Sequence, residues 1–159
     1  MTNEEVLQIV QEAFAMPRPE RFTDHPGCRE CAEHEETLQA HTLESLSCRA
    51  VNQPAWAPIT MCQPEAFAYW MPALARICLE GEDPECGWYG ELLFTSDLRR
   101  DGPGNERWAH CTPSQRAAIA RFVEHVIDTQ AGLLASYNLE HEALDVLAIW
   151  SDQGDGIPA

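Results

Sequence analysis

The segment "QPEAFAYWMPALARICLE", residues 63–80, constrains the fold more than any other. Phe67, Trp70, Met71, Leu74, Ile77 and Cys78 fall at i, i+3, i+4, i+7, i+10 and i+11, which is one apolar face of an α-helix. Pro64 stands in the first turn, where the missing N–H costs nothing. Pro72 lies inside the pattern, removes one backbone bond and predicts a kink. A helix this apolar must be covered by other elements, and the rest of the chain supplies helical faces. Thr2 and Glu5 form a capping box ahead of Val6, Ile9, Val10, Ala13 and Phe14, and Pro17 and Pro19 end that helix. Thr112, Pro113 and Gln115 open another, carried by Ile119, Phe122, Val123, Val126 and Ile127 to about Gln130. A last helix from about Leu139 buries Ala143, Leu144, Leu147 and Trp150.

The intervening segments are less regular. A helix is predicted from near Cys28 to about Ser47, with a thin stripe of Cys31, Leu38, Leu43 and Leu46. "WYGELLFTSDL" fits a short helix or a strand and is read as helix because its neighbours are helical, "RAVNQPAWAPIT" reads as an extended, proline-broken connection, and "RRDGPGNERWAH" as an exposed loop. The expectation is an all-α fold: one helical domain over 1–150, a bundle of five to six helices with long Pro-rich connections, and a flexible tail over 151–159.

Charge narrows the function. Asp and Glu total 26 against 10 Arg, with no Lys, and the formal charge is −16. Nucleic acid and anionic membranes are excluded as partners, because both need Lys and Arg to displace counterions. The same field draws in a basic protein from a distance. No apolar run is long enough to span a bilayer, and "MTNEEVLQIVQEAF" lacks the basic and apolar regions of a signal peptide. A cytoplasmic location is expected. Seven cysteines cannot all pair within one chain, and most read as small buried hydrophobes.

"DHPGCRECAEH" carries the one pattern that asks for chemistry, with His25, Cys28, Cys31 and His34 spaced by three. Cys-x-x-Cys offers two thiolates to a tetrahedral Zn²⁺, and His34 and His25 are further ligands. Three residues turn a helix by 300°, so His25 joins the others only through a loop at Pro26 and Gly27. His41, one heptad after His34, is an alternative ligand. The same cysteines at a helix N-terminus suit a thiol–disulfide oxidoreductase, since the dipole and unpaired amides stabilise thiolate. Helical proteins that partner peroxidases also use Cys-x-x-Cys near a His, although the strand that precedes the motif in thioredoxin-like proteins is missing. Or Cys31, His34, Leu38 and His41 are the core-facing strip of an ordinary helix. Cys48, Cys62, Cys86 and Cys111 are ligands at a distance or simply packed. There is no Glu-x-x-His, no Gly-x-Ser-x-Gly and no phosphate-cradling glycine loop, so no enzyme signature is present.

The pairing of "QPEAFAYWMPALARICLE" with "CTPSQRAAIARFVEHV", and the turn "MPRPERF", resembles a bacterial protein family of unknown function, over residues 5 to 128. The resemblance implies a small, mostly helical protein and carries no catalytic residue. The sequence thus favours a protein that acts by binding, as bacterial immunity proteins do on cationic toxins, with a structural zinc at Cys28, Cys31, His34 and His25 or no cofactor. Its acidic helix, with Glu30, Glu33, Glu35, Glu36 and Glu44, is the expected contact face, and Arg99, Arg100 and Arg107 make the 99–107 loop a poor one.

Overall fold

A computed structural model of the chain describes residues 1–53, 55–99 and 106–152. Five helices have eleven residues or more: α1 (Asn3–Ala13), α2 (Arg29–Gln39), α4 (Pro64–Leu79), α7 (Pro113–Thr129) and α9 (Glu140–Ser151). Short pieces join them: α3 (Cys48–Val51), a 3₁₀ turn over Pro58–Met61, α5 (Gly90–Leu92) running into a π-turn over Leu93–Asp97, α6 (Glu106–His110) and α8 (Ala131–Ser136). Among the described residues strand pairing is confined to isolated bridges, at Thr23–Cys62, Gln53–Trp56 and Asp83–Gly87. The architecture is all-α, as expected. The tail falls almost wholly outside the described residues.

Helix α4 is the axis of the packing. Residues 66–75 are all buried, so the single face read from the sequence is a helix covered on every side. Ala66, Ala68, Ala73 and Ala75 fill the remaining faces and let neighbours approach closely. Helices α1 and α6 pack on α4, α1 packs on α7, and α7 packs on α9. The C-terminal carbonyls of α4 are met by side chains: Trp88 Nε1 donates to Cys78 O at 2.9 Å, and Gln130 Nε2 reaches Cys78 O and Leu79 O at 3.4 and 3.3 Å. Arg76 extends sideways to hold the 43–46 turn through Leu43 O and Leu46 O, at 3.1 and 2.7 Å.

Both capping boxes form. Thr2 N donates to Glu5 at 2.7 Å and Thr112 N to Gln115 at 3.0 Å, with each threonine hydroxyl accepting the return amide at 3.2 Å. Helix α2 is shorter than expected and ends at Gln39 rather than near Ser47. The cause is local: Thr42 and Ser45 exchange backbone-to-hydroxyl bonds of 2.8 and 3.2 Å and close their own turn. In α9 the buried set is Ala143, Val146 and Trp150, and Leu144 is 54% exposed, because the inward face follows Leu139 at steps of four, three and four. "RAVNQPAWAPIT" is not simply extended, since α3 and the 3₁₀ turn fold its two ends.

The segment read as an exposed basic loop is different. Residues 100–105 lie outside the described residues, but Arg107 is 3% exposed and part of α6. Its guanidinium meets Asp97 Oδ1 at 3.3 Å and donates to Ile59 O at 2.7 Å. Asp97 also accepts from Tyr89 Oη at 2.9 Å and Thr60 Oγ1 at 3.2 Å. This buried network ties the π-turn, the 3₁₀ turn and α6 together. Arg99 faces Glu142 and Asp145 at 3.5 and 3.3 Å, so its charge is locally answered.

Candidate functional site

Helix α2 positions the Cys-x-x-Cys pair by its N-terminus and by the loop that clamps it. Residues 25–28 form a turn, with Cys28 N donating to His25 O at 3.1 Å and Gly27 at φ +90°, a conformation glycine adopts without strain. Cys28 is the N-cap residue, and its sulfur accepts from Cys31 N at 3.4 Å, where serine or aspartate usually stands. On the far side, Glu35 is not part of the acidic surface. It turns inward and accepts from Phe22 N, Thr23 N and Thr23 Oγ1 at 2.9, 2.8 and 3.0 Å. Thr23 also donates to Cys31 O at 3.3 Å, and Thr23 bridges to Cys62. The 22–23 backbone passes α2 with amides lacking helical partners, and the Glu35 carboxylate satisfies them. The start of α2 is therefore held by buried hydrogen bonds rather than left to fray.

The two thiols are unequal. Cys28 is half-buried, whereas Cys31 is 1% exposed. The Cys31 amide, and after it a hydrogen bond from the Cys31 thiol, hold Cys28 below the usual thiol range. Burial and the Glu30 carboxylate oppose that shift without reversing it. The contact with Cys28 pushes Cys31 up, helped by burial and by the negative charge of Cys28 and Glu30. The pair thus has one partly open, more acidic sulfur beside a covered, more protonated one.

The candidate histidines lie in different surroundings. His25 is exposed. His34 is 1% exposed, with Nε2 3.5 Å from Glu30 Oε1 and its ring 4.3 Å from that of Trp56. His34 Nδ1 is buried without a hydrogen-bond partner among the described residues. His41, just past the end of α2, meets Thr37 O of that helix through Nδ1 at 2.8 Å. Among the described residues no group of three or more His, Cys, Asp and Glu side chains converges as a metal site requires. The inward strip of α2 is Cys31, His34 and Leu38. Beside it a cavity of about 330 Å³ is lined by Glu30, His34, Asn52, Trp56 and Met61, among others. Trp56, which the sequence marks only as an anchor of the proline-broken connection, is turned back by the Gln53–Trp56 bridge and meets α2 at His34, a pairing no local pattern signals.

Cys62, Cys78 and Cys111 are buried, and burial pushes each thiol up, Cys111 to about 12. They are packing residues in reactivity as well as position. None of the seven cysteines is in a disulfide. No helix among the described residues is long and apolar enough to cross a membrane. No family model, no curated protein and no solved structure matches the chain.

Proposed function

We propose that the chain is a thiol–disulfide oxidoreductase whose working pair is Cys28 and Cys31, and that its substrates are disulfides carried by basic polypeptides. One observation supports this most: Cys28 caps α2 with its sulfur on the Cys31 amide, while the Cys31 thiol lies against it. Cys28 as thiolate attacks one sulfur of the substrate disulfide, whose S–S bond breaks as a mixed disulfide forms on Cys28. Cys31 then loses its proton to the leaving sulfur and attacks Cys28 Sγ. The second substrate thiol departs, and a Cys28–Cys31 disulfide remains. Two protein thiols are oxidised and one substrate disulfide is reduced to two thiols.

Charge sets the preference among substrates. Glu30 and Glu36 are exposed on α2, Glu33 is half-exposed, and Arg29 pairs with Glu33 at 3.0 Å. The acidic rim attracts cationic chains and slows acidic ones. The cost is a smaller thiolate population, because Glu30 works against ionisation of both sulfurs.

Alkylation of Cys28 and Cys31 as a function of pH, followed by peptide mapping, tests the reading. Cys28 should react first and titrate below the free-thiol value of about 8.5, and Cys31→Ala should preserve that reactivity in part. Equilibration with reduced and oxidised glutathione should give a reversible Cys28–Cys31 disulfide. A Cys28 that reacts no faster than a model thiol at neutral pH, with no such disulfide at any glutathione ratio, rules the function out. Raising the salt should slow reduction of a basic disulfide peptide more than of a neutral one.

A further inference from the structure

A second cysteine pair lies away from α2, and neither member takes part in the chemistry above. Helix α3 begins at Cys48 and faces the turn 83–87. That turn is tightly closed: Asp83 N donates to Gly87 O at 2.9 Å and Gly87 N to Asp83 O at 2.8 Å. Asp83 Oδ1 accepts from Glu85 N and Cys86 N at 2.8 and 3.2 Å. Gly87 sits at φ +74°, where a side chain is strained.

Four contacts lock α3 against the turn. Cys48 Sγ donates to Gly87 O at 3.6 Å, and Asn52 Nδ2 donates to Cys86 O at 2.8 Å. Arg49 pairs with Glu85 at 3.1 Å and approaches Asp83 at 3.9 Å. The Cys48 Sγ–Gly87 O contact and the Asn52–Cys86 bond together bring Cys48 alongside Cys86, the residue before Gly87. Cys48 is 8% exposed and Cys86 is half-buried. A recess of about 230 Å³, lined by Ser47, Cys48, Arg49 and Asp83 among others, opens beside Cys48.

We propose that Cys48 and Cys86 are a second oxidation site, forming a reversible disulfide that staples α3 to the 83–87 turn when small disulfides such as oxidised glutathione are abundant. The backbone on both sides is held by Asn52, Arg49 and the paired Asp83–Gly87 bonds, which keep the two cysteines side by side. In the first step Cys86, the more open thiol, gives up its proton and attacks one sulfur of glutathione disulfide. The S–S bond breaks, glutathione leaves as thiolate and takes a proton, and a mixed disulfide forms on Cys86. Cys48 then attacks Cys86 Sγ, its proton passing to the second glutathione as it departs. Two protein thiols are oxidised and one glutathione disulfide becomes two glutathiones.

This pair is slow where the α2 pair is fast. Burial first, then the Cys48 side chain and Asp83, push the Cys86 thiol up to about 12. A thiol so weakly acidic is a scarce nucleophile at neutral pH and a poor leaving group once oxidised. The staple therefore forms late under sustained oxidation and outlasts the Cys28–Cys31 disulfide on return to reducing conditions.

The test is disulfide mapping of Cys28→Ser/Cys31→Ala protein held in glutathione buffers of increasing oxidised fraction, with the parent chain mapped alongside. A Cys48–Cys86 peptide should appear in both, at a rate rising about tenfold per pH unit between pH 7 and 9 as the thiolate fraction grows. It should raise the melting temperature by roughly 5 °C or more, since it closes a long loop of chain. Cys86→Ser should lose both the cross-link and the stabilisation. If Cys86 stops at the glutathione adduct, or Cys48 and Cys86 stay reduced at every ratio, the proposal fails. Because the variant lacks the α2 pair, neither outcome depends on the function assigned to that pair.

Discussion

Replacing the buried Arg107 by Met should destabilise the protein more than the same exchange at any other described arginine. The guanidinium is 3% exposed and the Asp97 carboxylate is 0% exposed. Nη1 lies 3.3 Å from Asp97 Oδ1, and Nη2 donates to Ile59 O at 2.7 Å and reaches Thr60 O and Cys62 O at 3.4 Å. Met keeps an apolar stem near the Phe67 ring, over which the guanidinium carbon sits at 4.5 Å, so packing changes less than charge. What remains is a buried carboxylate with Tyr89 and Thr60 as donors. Breaking one side of a buried pair costs about 3–5 kcal/mol, against a total stability of roughly 5–15 kcal/mol. The melting temperature should fall by about 6–20 °C for a chain of this size. Urea and thermal unfolding followed by circular dichroism measure both. Neutralising the partner supplies the control: in Asp97→Asn/Arg107→Met the orphaned charge is gone, and the double deficit should be smaller than the sum of the singles by about 2 kcal/mol. pH gives a second. Burial holds the Asp97 carboxyl above its ordinary value of 3.8, and the Arg107 charge is the largest force pulling it back. Without Arg107 it rises further. A carboxyl with a raised folded value binds a proton on folding, so the variant regains stability as pH falls toward 3.8 and loses it as pH rises through the folded value. A melting temperature within a degree of the parent, strictly additive deficits, or a pH-independent gap would refute the reasoning.

Two further outcomes are expected. Gly90→Ala should cost about 1–3 kcal/mol or more by overpacking, because a methyl there runs into the Trp88 ring, which is fully buried and bonded to Cys78 O at 2.9 Å; tryptophan fluorescence and urea titration report it, and a neutral result would mean the ring can yield. Metal chelators should leave the melting temperature of freshly purified protein unchanged, since no third donor joins Cys28 and Cys31 among the described residues; a drop that zinc restores would assign the pair to metal instead.

What the sequence made legible was local. The Thr2–Glu5 and Thr112–Gln115 boxes are complete within four residues, and both helix starts fall where those residues put them. The Cys28–Cys31 contact is also local, one turn of one helix. Glu35 and Arg107 were not legible, because each is recruited by a distant backbone: Glu35 by the amides of Phe22 and Thr23, Arg107 by the carbonyls of Ile59 and Thr60. Charge pattern alone placed both on the surface. Cys48 and Cys86 belong to the same class, since they are 38 positions apart and only the fold brings their segments together. The end of α2 lies between these cases. Thr42 and Ser45 carried a turn signal of their own, and the leucines at 43 and 46 masked it.

The complete enclosure of α4 has a consequence for motion. Ten successive buried residues leave its amides little route to exchange by local fraying. They should exchange deuterium only when the whole chain opens, which makes them a direct gauge of global stability. The start of α2 is held differently, by the Cys28 sulfur on the Cys31 amide and by Thr23 on the Cys31 carbonyl. Exchange at the Cys31 and Ala32 amides, compared with exchange along α4, would therefore separate local opening at the Cys-x-x-Cys turn from opening of the whole chain.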